Sequence, residues 1–129
     1  IGDHRDLHSF PTRRSSDLGH AWVQASGVEG VTSLKLTLSQ DANATSRRHT
    51  VRLYFCEPKE LVRGRRVFDV AMQGQTVLTG FDIAASAKQG HWGVVREFND
   101  VAIKDQLEIT FHSLTGTPVI SGIEILVTE

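Results

Sequence analysis

Two acids and a scatter of histidines are the first places to look for chemistry. Asp69 and Asp82 sit in related phrases, Val67-Phe68-Asp69-Val70 and Gly80-Phe81-Asp82-Ile83. A pair of carboxyl groups can cleave a glycosidic bond, one protonating the leaving oxygen and the other acting as base or nucleophile. An acid beside an aromatic residue at a strand end has a second use, accepting hydrogen bonds from the backbone N–H groups of a turn. Nothing else in the chain supports an acid–base dyad, so the structural use is preferred for both acids. His20, His49, His91 and His112 are spread over loops and strand faces, outside any metal-ligand spacing such as His-Glu-x-x-His. No Gly-x-Ser-x-Gly nucleophile turn and no glycine-rich phosphate loop occurs. Cys56 is the lone cysteine. It excludes an intrachain disulfide and a cysteine-built zinc site, and its place in a strand suits a half-buried, inert thiol. These residues predict a protein that is not an enzyme and uses no metal and no cofactor.

Aromatic and polar side chains offer a different chemistry. Flat rings stack on the apolar face of a pyranose while polar groups bind its hydroxyls. Tyr54 falls on the outward face of a strand, and Gly90-His91-Trp92-Gly93 is an aromatic loop between glycines. Lys59 belongs to a charged loop, Pro58–Arg66, in which Arg63, Arg65 and Arg66 are opposed by Glu57 and Glu60. A short basic run of this kind is ordinarily a solvated loop; the alternative is a polar rim around a ligand. Trp92, His91, Tyr54 and Lys59 are thus the candidate ligand contacts. For Trp92 a second use stays open, folding back to cap a sheet edge.

The elements that must position these residues are strands. In Thr50–Glu57, Val51, Leu53 and Phe55 share one face while Arg52, Tyr54 and Cys56 share the other, the period of two that a half-buried strand needs. Val67–Met72 repeats it with Phe68, Val70 and Met72 inward, and Gln73-Gly74-Gln75 supplies the glycine of a hairpin turn back into Thr76–Leu78. Leu34, Leu36 and Leu38 alternate within Val31–Leu38, preceded by a short apolar piece at Trp22–Ala25 and a turn at Ser26–Gly30. Ala84–Lys88 predicts one short helical turn. Val94–Phe98, Val101–Ile103, Leu107–His112 and Val119–Val127 are further strands. Seven or eight short strands separated by turns every eight to twelve residues predict a β-sandwich.

The opening residues stand apart. Gly2–Leu18 resembles, residue for residue, one reading frame of a universal sequencing-library adaptor, most plainly in HSFPTRRSSDL at His8–Leu18. Residues 1–18 are therefore expected to be disordered and to make few contacts with the fold, and residues 19–129 to form one domain. On that reading the natural N-terminus lies upstream and the domain is a fragment. Setting aside 18 of 129 residues leaves 111, enough for one modest core. The segment's three Arg and three Asp cancel, so the net charge stays at −1. That balance predicts no nucleic-acid partner, and the lack of a long apolar run predicts no membrane insertion.

The spaced phrases TVRLYFCEP, RVFDVAMQGQTVL, FDI, VVREF and PVISGIEI, between His49 and Leu126, resemble the malectin and malectin-like domain family. The resemblance implies a jelly-roll β-sandwich of the galactose-binding type that binds carbohydrate without transforming it. It also implies a secreted, periplasmic or cell-envelope location, with other domains of a larger bacterial protein such as a glycoside hydrolase as partners. The match is to the framework, namely Asp69 and Asp82 with Phe55, Phe68 and Phe81 around them. Where the family's diglucose-binding member carries an aromatic pair, this chain has Lys59 and Glu60, and where that member has an acid near the last turn, it has Gly116. A protein-interaction or spacer module on the same fold is the alternative.

Overall fold

The computed structural model describes the backbone of residues 12–15, 20–57, 62–87 and 93–128, with side chains from residue 29 onward. Among the described residues, nine strands and one helical turn follow in order: β1 Thr12–Ser15, β2 His20–Glu29, β3 Ser33–Thr37, β4 Arg47–Cys56, β5 Val67–Met72, β6 Gln75–Phe81, α1 Ile83–Ser86, β7 Gly93–Ile103, β8 Gln106–Thr115 and β9 Val119–Val127. They form two antiparallel sheets, β1-β2-β9-β4-β7 and β3-β8-β5-β6. Without β1 each sheet has four strands, and every connection changes sheet except the β5–β6 hairpin. That is the jelly-roll sandwich, the fold the sequence predicts.

The inward faces match the alternation in the sequence. Val51, Leu53 and Phe55 of β4 and Phe68, Val70 and Met72 of β5 are buried, facing Leu34, Leu36, Leu107, Ile109, Phe111, Ile123 and Ile125. At the centre, the Phe55 and Phe81 ring centroids are 4.6 Å apart, and Phe68 meets Phe81 edge-on at 5.7 Å. Such tilted aromatic pairs add to the area they bury. Arg96 of β7, whose guanidinium lies 5.3 Å from the Phe81 ring centroid, covers the side where β7 and β6 are the two edge strands. A charged side chain there closes the core and discourages edge-to-edge pairing.

The elements differ from expectation in three places. Ser26–Glu29 continues β2, because a register shift between Gln24 and Val28 absorbs the glycine and polar residues; the turn is deferred to Gly30 at φ 76°. Val94–Phe98 and Val101–Ile103 are one strand, joined through a bulge opposite Thr50 in which Asp100 takes φ 59° and Asn99 accepts a hydrogen bond from the Thr50 hydroxyl. Thr12–Ser15, inside the segment set aside as adaptor-like, adds to the outer edge of β2. An open strand edge offers unpaired N–H and C=O groups to any extended chain. Phe10 and Leu18 lie outside the described residues.

The hairpin turn has positive φ at both Gln73 and Gly74, the combination that matches strand twist. Gln73 is held there by its side chain, which accepts from the Glu108 N–H and donates to the carbonyls of Ala102 and Gln106.

Candidate functional site

Alternate crossing of the two sheets sends four connections to one end of the sandwich: 30–32, 57–66, 82–92 and 116–118. The two candidate loops leave from neighbouring points, since Cys56, the last residue of β4, pairs with Gly93, the first of β7. Lys59, His91 and Trp92 lie outside the described residues, and Tyr54 is the candidate contact whose surroundings are seen.

The loop after β4 is tied down by an arginine. Arg66 is 2% exposed and Glu57 4%. The Arg66 Nε donates to Glu57 Oε1 at 2.8 Å and Nη2 to Glu57 Oε2 at 3.1 Å, a two-pronged pair. Nη2 also donates to Glu29 Oε2 at 3.0 Å, and Nη1 to the carbonyl and hydroxyl oxygens of Thr117 at 2.6 and 3.1 Å. One guanidinium thus joins the ends of β2, β4 and β5 to the β8–β9 turn. Burial alone would lower its pKa, but the hydrogen bonds to Glu57 and then Glu29 outweigh that and leave it raised. Arg66 is therefore neither a solvated loop charge nor part of an open rim, as the charge run suggested; the reason is Glu57, a buried acid just past the end of β4 that needs a cation. Arg63 and Arg65 are exposed.

Asp82 makes the second tie. Its Oδ1 accepts from the Ala85 N–H at 3.2 Å, capping α1, and its Oδ2 accepts from the Gly64 N–H at 2.6 Å. Asp69 accepts from the Gly80 N–H at 2.7 Å, across the irregular β5–β6 ladder. Both acids receive backbone donors. Gly116, at φ 70°, lies so close to the β4–β5 loop that an added Cβ would sit 2.5 Å from the Arg65 carbonyl oxygen. Gly116→Ala is expected to cost about 1–3 kcal/mol for the backbone conformation alone. A chemical melt checks it, and an unchanged midpoint would mean the turn does not pack on the loop.

Tyr54 lies on the outer face of the five-stranded sheet, paired across to Val95 and Gly122. Its hydroxyl donates to Glu124 Oε1 at 2.9 Å, and the same oxygen accepts from Arg52 Nη1 at 2.9 Å, while Arg52 Nε donates to Glu97 at 2.7 Å. The group is cross-linked within itself. Cys56, on the same face, is exposed rather than half-buried, because it ends the strand. Burial, followed by the hydrogen bond to the Glu124 carboxylate, pushes the Tyr54 phenol above its ordinary value of 10.0. Tyr54 is the chain's single tyrosine, so absorbance at the phenolate band reads it alone. The unfolded phenol ionises first, so proton release favours unfolding above pH 10; stability is full below that value and falls as pH rises through the higher folded value. A titration midpoint at the ordinary value would contradict the hydrogen bond.

Among the described residues, no three His, Cys, Asp or Glu side chains are grouped to hold a metal ion, and no helix is long and apolar enough to cross a membrane. The sequence matches the family model of the malectin domain over residues 33–123, more than half of the chain. The chain belongs to the malectin domain family. Solved structures share this malectin domain's fold at low identity. A Bacteroides uniformis β-glucuronidase aligns with TM-score 0.63 at 15% identity, covering 80% of this chain and 11% of that one. The ANX1 ectodomain from Arabidopsis thaliana aligns at 0.59 and 14%, covering 83% and 33%. A complex of the plant peptide RALF23 with FER and LLG2 aligns at 0.58 and 22%, covering 84% and 28%. The malectin domain thus spans a third or less of each of these chains. No curated protein matches the sequence.

Proposed function

We propose that this malectin domain is a carbohydrate-binding module that holds a glycan without transforming it, at the end of the sandwich where the 58–61 and 88–92 segments leave β4 and enter β7. The observation that carries this reading is the cross-linking of that end: Arg66 and Asp82 fasten the described parts of its loops to one another. Glycan binding by loops needs such pre-organisation, since ordering a loop on binding costs affinity. In this reading Trp92 stacks on the sugar, Lys59 and His91 bind hydroxyls, and Tyr54 borders the site from the sheet face. Asp69 and Asp82 hold backbone and do no chemistry. The module serves as an accessory part of a larger bacterial secreted or envelope protein such as a glycoside hydrolase, with that protein's other domains as its remaining partners.

Isothermal titration of the protein against neutral gluco- and galacto-oligosaccharides tests this. Saturable heat is expected for at least one. Trp92→Ala is expected to weaken binding by about 1–3 kcal/mol, the range for losing a stacking ring, with an unchanged melting midpoint. No heat with any glycan overturns the reading, and a lowered midpoint without loss of affinity assigns Trp92 to packing.

A second reading, a protein-interaction module on the same fold, is favoured by Lys59 and Glu60 standing where the family's diglucose-binding member has two aromatic residues. A fold neighbour of this chain occurs in a complex with a peptide. Cleavage of any glycan in the panel would count against both readings.

A further inference from the structure

At the opposite end of the sandwich, beneath the β3–β4 loop, lies a cavity of about 310 Å³. Its volume is at the lower end of the range for small-molecule sites, roughly 300–1,000 Å³. Leu38, Ile103, Ile125 and Val127 give it an aliphatic floor. The two cationic residues of the lining, Arg47 and Lys104, are exposed. His49, 7% exposed, is its buried polar side chain.

His49 heads the buried row that Val51, Leu53 and Phe55 continue, set across from Val127 of β9. Its Nδ1 lies 2.9 Å from the Arg47 carbonyl oxygen. A carbonyl oxygen only accepts, so Nδ1 carries the proton, and Nε2 of the neutral ring holds a lone pair. Among the described residues nothing hydrogen-bonds to that Nε2. Ser121 Oγ is, among the same residues, the one fully enclosed side-chain N or O atom without a partner. Nε2 is therefore not sealed inside the protein; it opens on the cavity that its ring lines. Buried polar groups are nearly always paired, so an acceptor left over at a cavity wall marks where a donor belongs. Ser39, also in the lining, accepts from the Asp41 N–H at 3.1 Å with its Oγ and keeps its own proton to give.

We infer that this cavity is a second binding site, for a small uncharged molecule that carries a hydroxyl group on an aliphatic body. The hydroxyl donates to His49 Nε2, and the hydrocarbon part lies on Leu38, Ile103 and Val127. An apolar floor with a few convergent polar groups is how small-molecule sites combine affinity with orientation. The lone pair sets the choice of functional group: an alcohol brings Nε2 a proton, whereas a ketone of the same shape brings only further lone pairs. The site is separate from the proposed glycan end, so either can fail without the other.

Cyclohexanol is the probe, with cyclohexanone as its counterpart of similar shape. Both are titrated into the isotopically labelled protein at about pH 8.5, above the ordinary imidazole value of about 6.5, while amide and imidazole nitrogen resonances are followed. Cyclohexanol is expected to give saturable amide shifts at Ser39, Ala44, Thr45, Lys104 and Val127 and to move the His49 Nε2 resonance. Cyclohexanone is expected to leave that resonance in place and to bind about tenfold more weakly, the loss of one hydrogen bond to a buried group. His49→Phe keeps an aromatic ring and removes the acceptor, so the two probes are expected to bind it alike. The variant's own amide spectrum verifies its fold, and the comparison of the two probes on the unaltered protein needs no variant. Equal affinity of the unaltered protein for both probes, an Nε2 resonance unmoved by cyclohexanol, or a preference for cyclohexanol that survives in His49→Phe would each overturn the assignment. So would shifts spread over the surface, or no saturation in the millimolar range.

Discussion

Replacing Arg66 with methionine is expected to lower the unfolding free energy by about 3–5 kcal/mol, the range for breaking a buried pair on one side only. The side chains of Arg66 and Glu57 are 3% and 1% exposed. With the guanidinium gone, the Glu57 carboxylate loses both of its prongs in a place water barely reaches. Glu29, whose side chain is 31% exposed, can turn to solvent and adds little to the loss. For a domain of ordinary stability, about 5–15 kcal/mol in all, the single change removes a large share. Replacing both members of a buried pair with apolar groups of similar size is often neutral. The double variant Glu57→Leu with Arg66→Met is therefore expected to regain most of the lost stability while freeing Thr117 and the β8–β9 turn. Urea melts of the three proteins measure this. A loss under about 1 kcal/mol for the single variant, the value of an exposed pair, would mean that Arg66 is a surface charge and that the loop is not anchored through it.

Phe68→Ala is expected to cost about 3–5 kcal/mol, the usual penalty for truncating a buried aromatic residue. Phe68 is fully buried and its ring lies 6.0, 5.7 and 6.2 Å from those of Phe55, Phe81 and Phe111. Those neighbours come from β4, β6 and β8, so both sheets grip the same ring. Because these strands are hydrogen-bonded into rigid ladders, the void cannot close easily, which places the change toward the top of the range. Leu114→Ala serves as the control: Leu114 is 52% exposed near the end of β8, and its loss is expected to stay within about 0.5 kcal/mol. Similar effects from the two substitutions would contradict the division of β5 and β8 into buried and open faces.

The contrast between those two residues explains why the fold was legible in the sequence. A strand's side chains alternate, so Val51-Leu53-Phe55, Phe68-Val70-Met72 and Leu107-Ile109-Phe111 each declare a buried face without knowledge of any partner. The turn at Gln73-Gly74 is equally local. What was hidden depended on pairing between distant segments. The bulges in β2 and β7 let polar residues remain in strands, so Ser26-Gly27 read as a turn and Asn99-Asp100 as a break. The Arg66 anchor was hidden in a run of four basic residues, yet the signal was there. Continuing the period of Val51, Leu53 and Phe55 by one step puts Glu57 on the inward face, and a buried carboxylate requires a cation nearby. Which arginine answers it is set by the β8–β9 turn, a contact some 51 positions away. The Tyr54–Glu124–Arg52–Glu97 group is of the same kind: each residue reads as outward-facing, but their meeting depends on the β4–β9 and β4–β7 registers. Asp82 was legible in kind, an acid beside an aromatic at a strand end, while its bond to Gly64 spans two elements.

The most direct test of glycan binding at the loop end is an amide-shift map of the labelled protein with the oligosaccharide that gives the largest heat. The account predicts saturable shifts at Cys56, Glu57, Val62–Arg66, Gly93 and Thr115–Thr117, with Thr45 and Lys104, at the opposite end of the sandwich, unmoved. A map confined to the β3–β4 end, or an unchanged spectrum with every glycan, would contradict it.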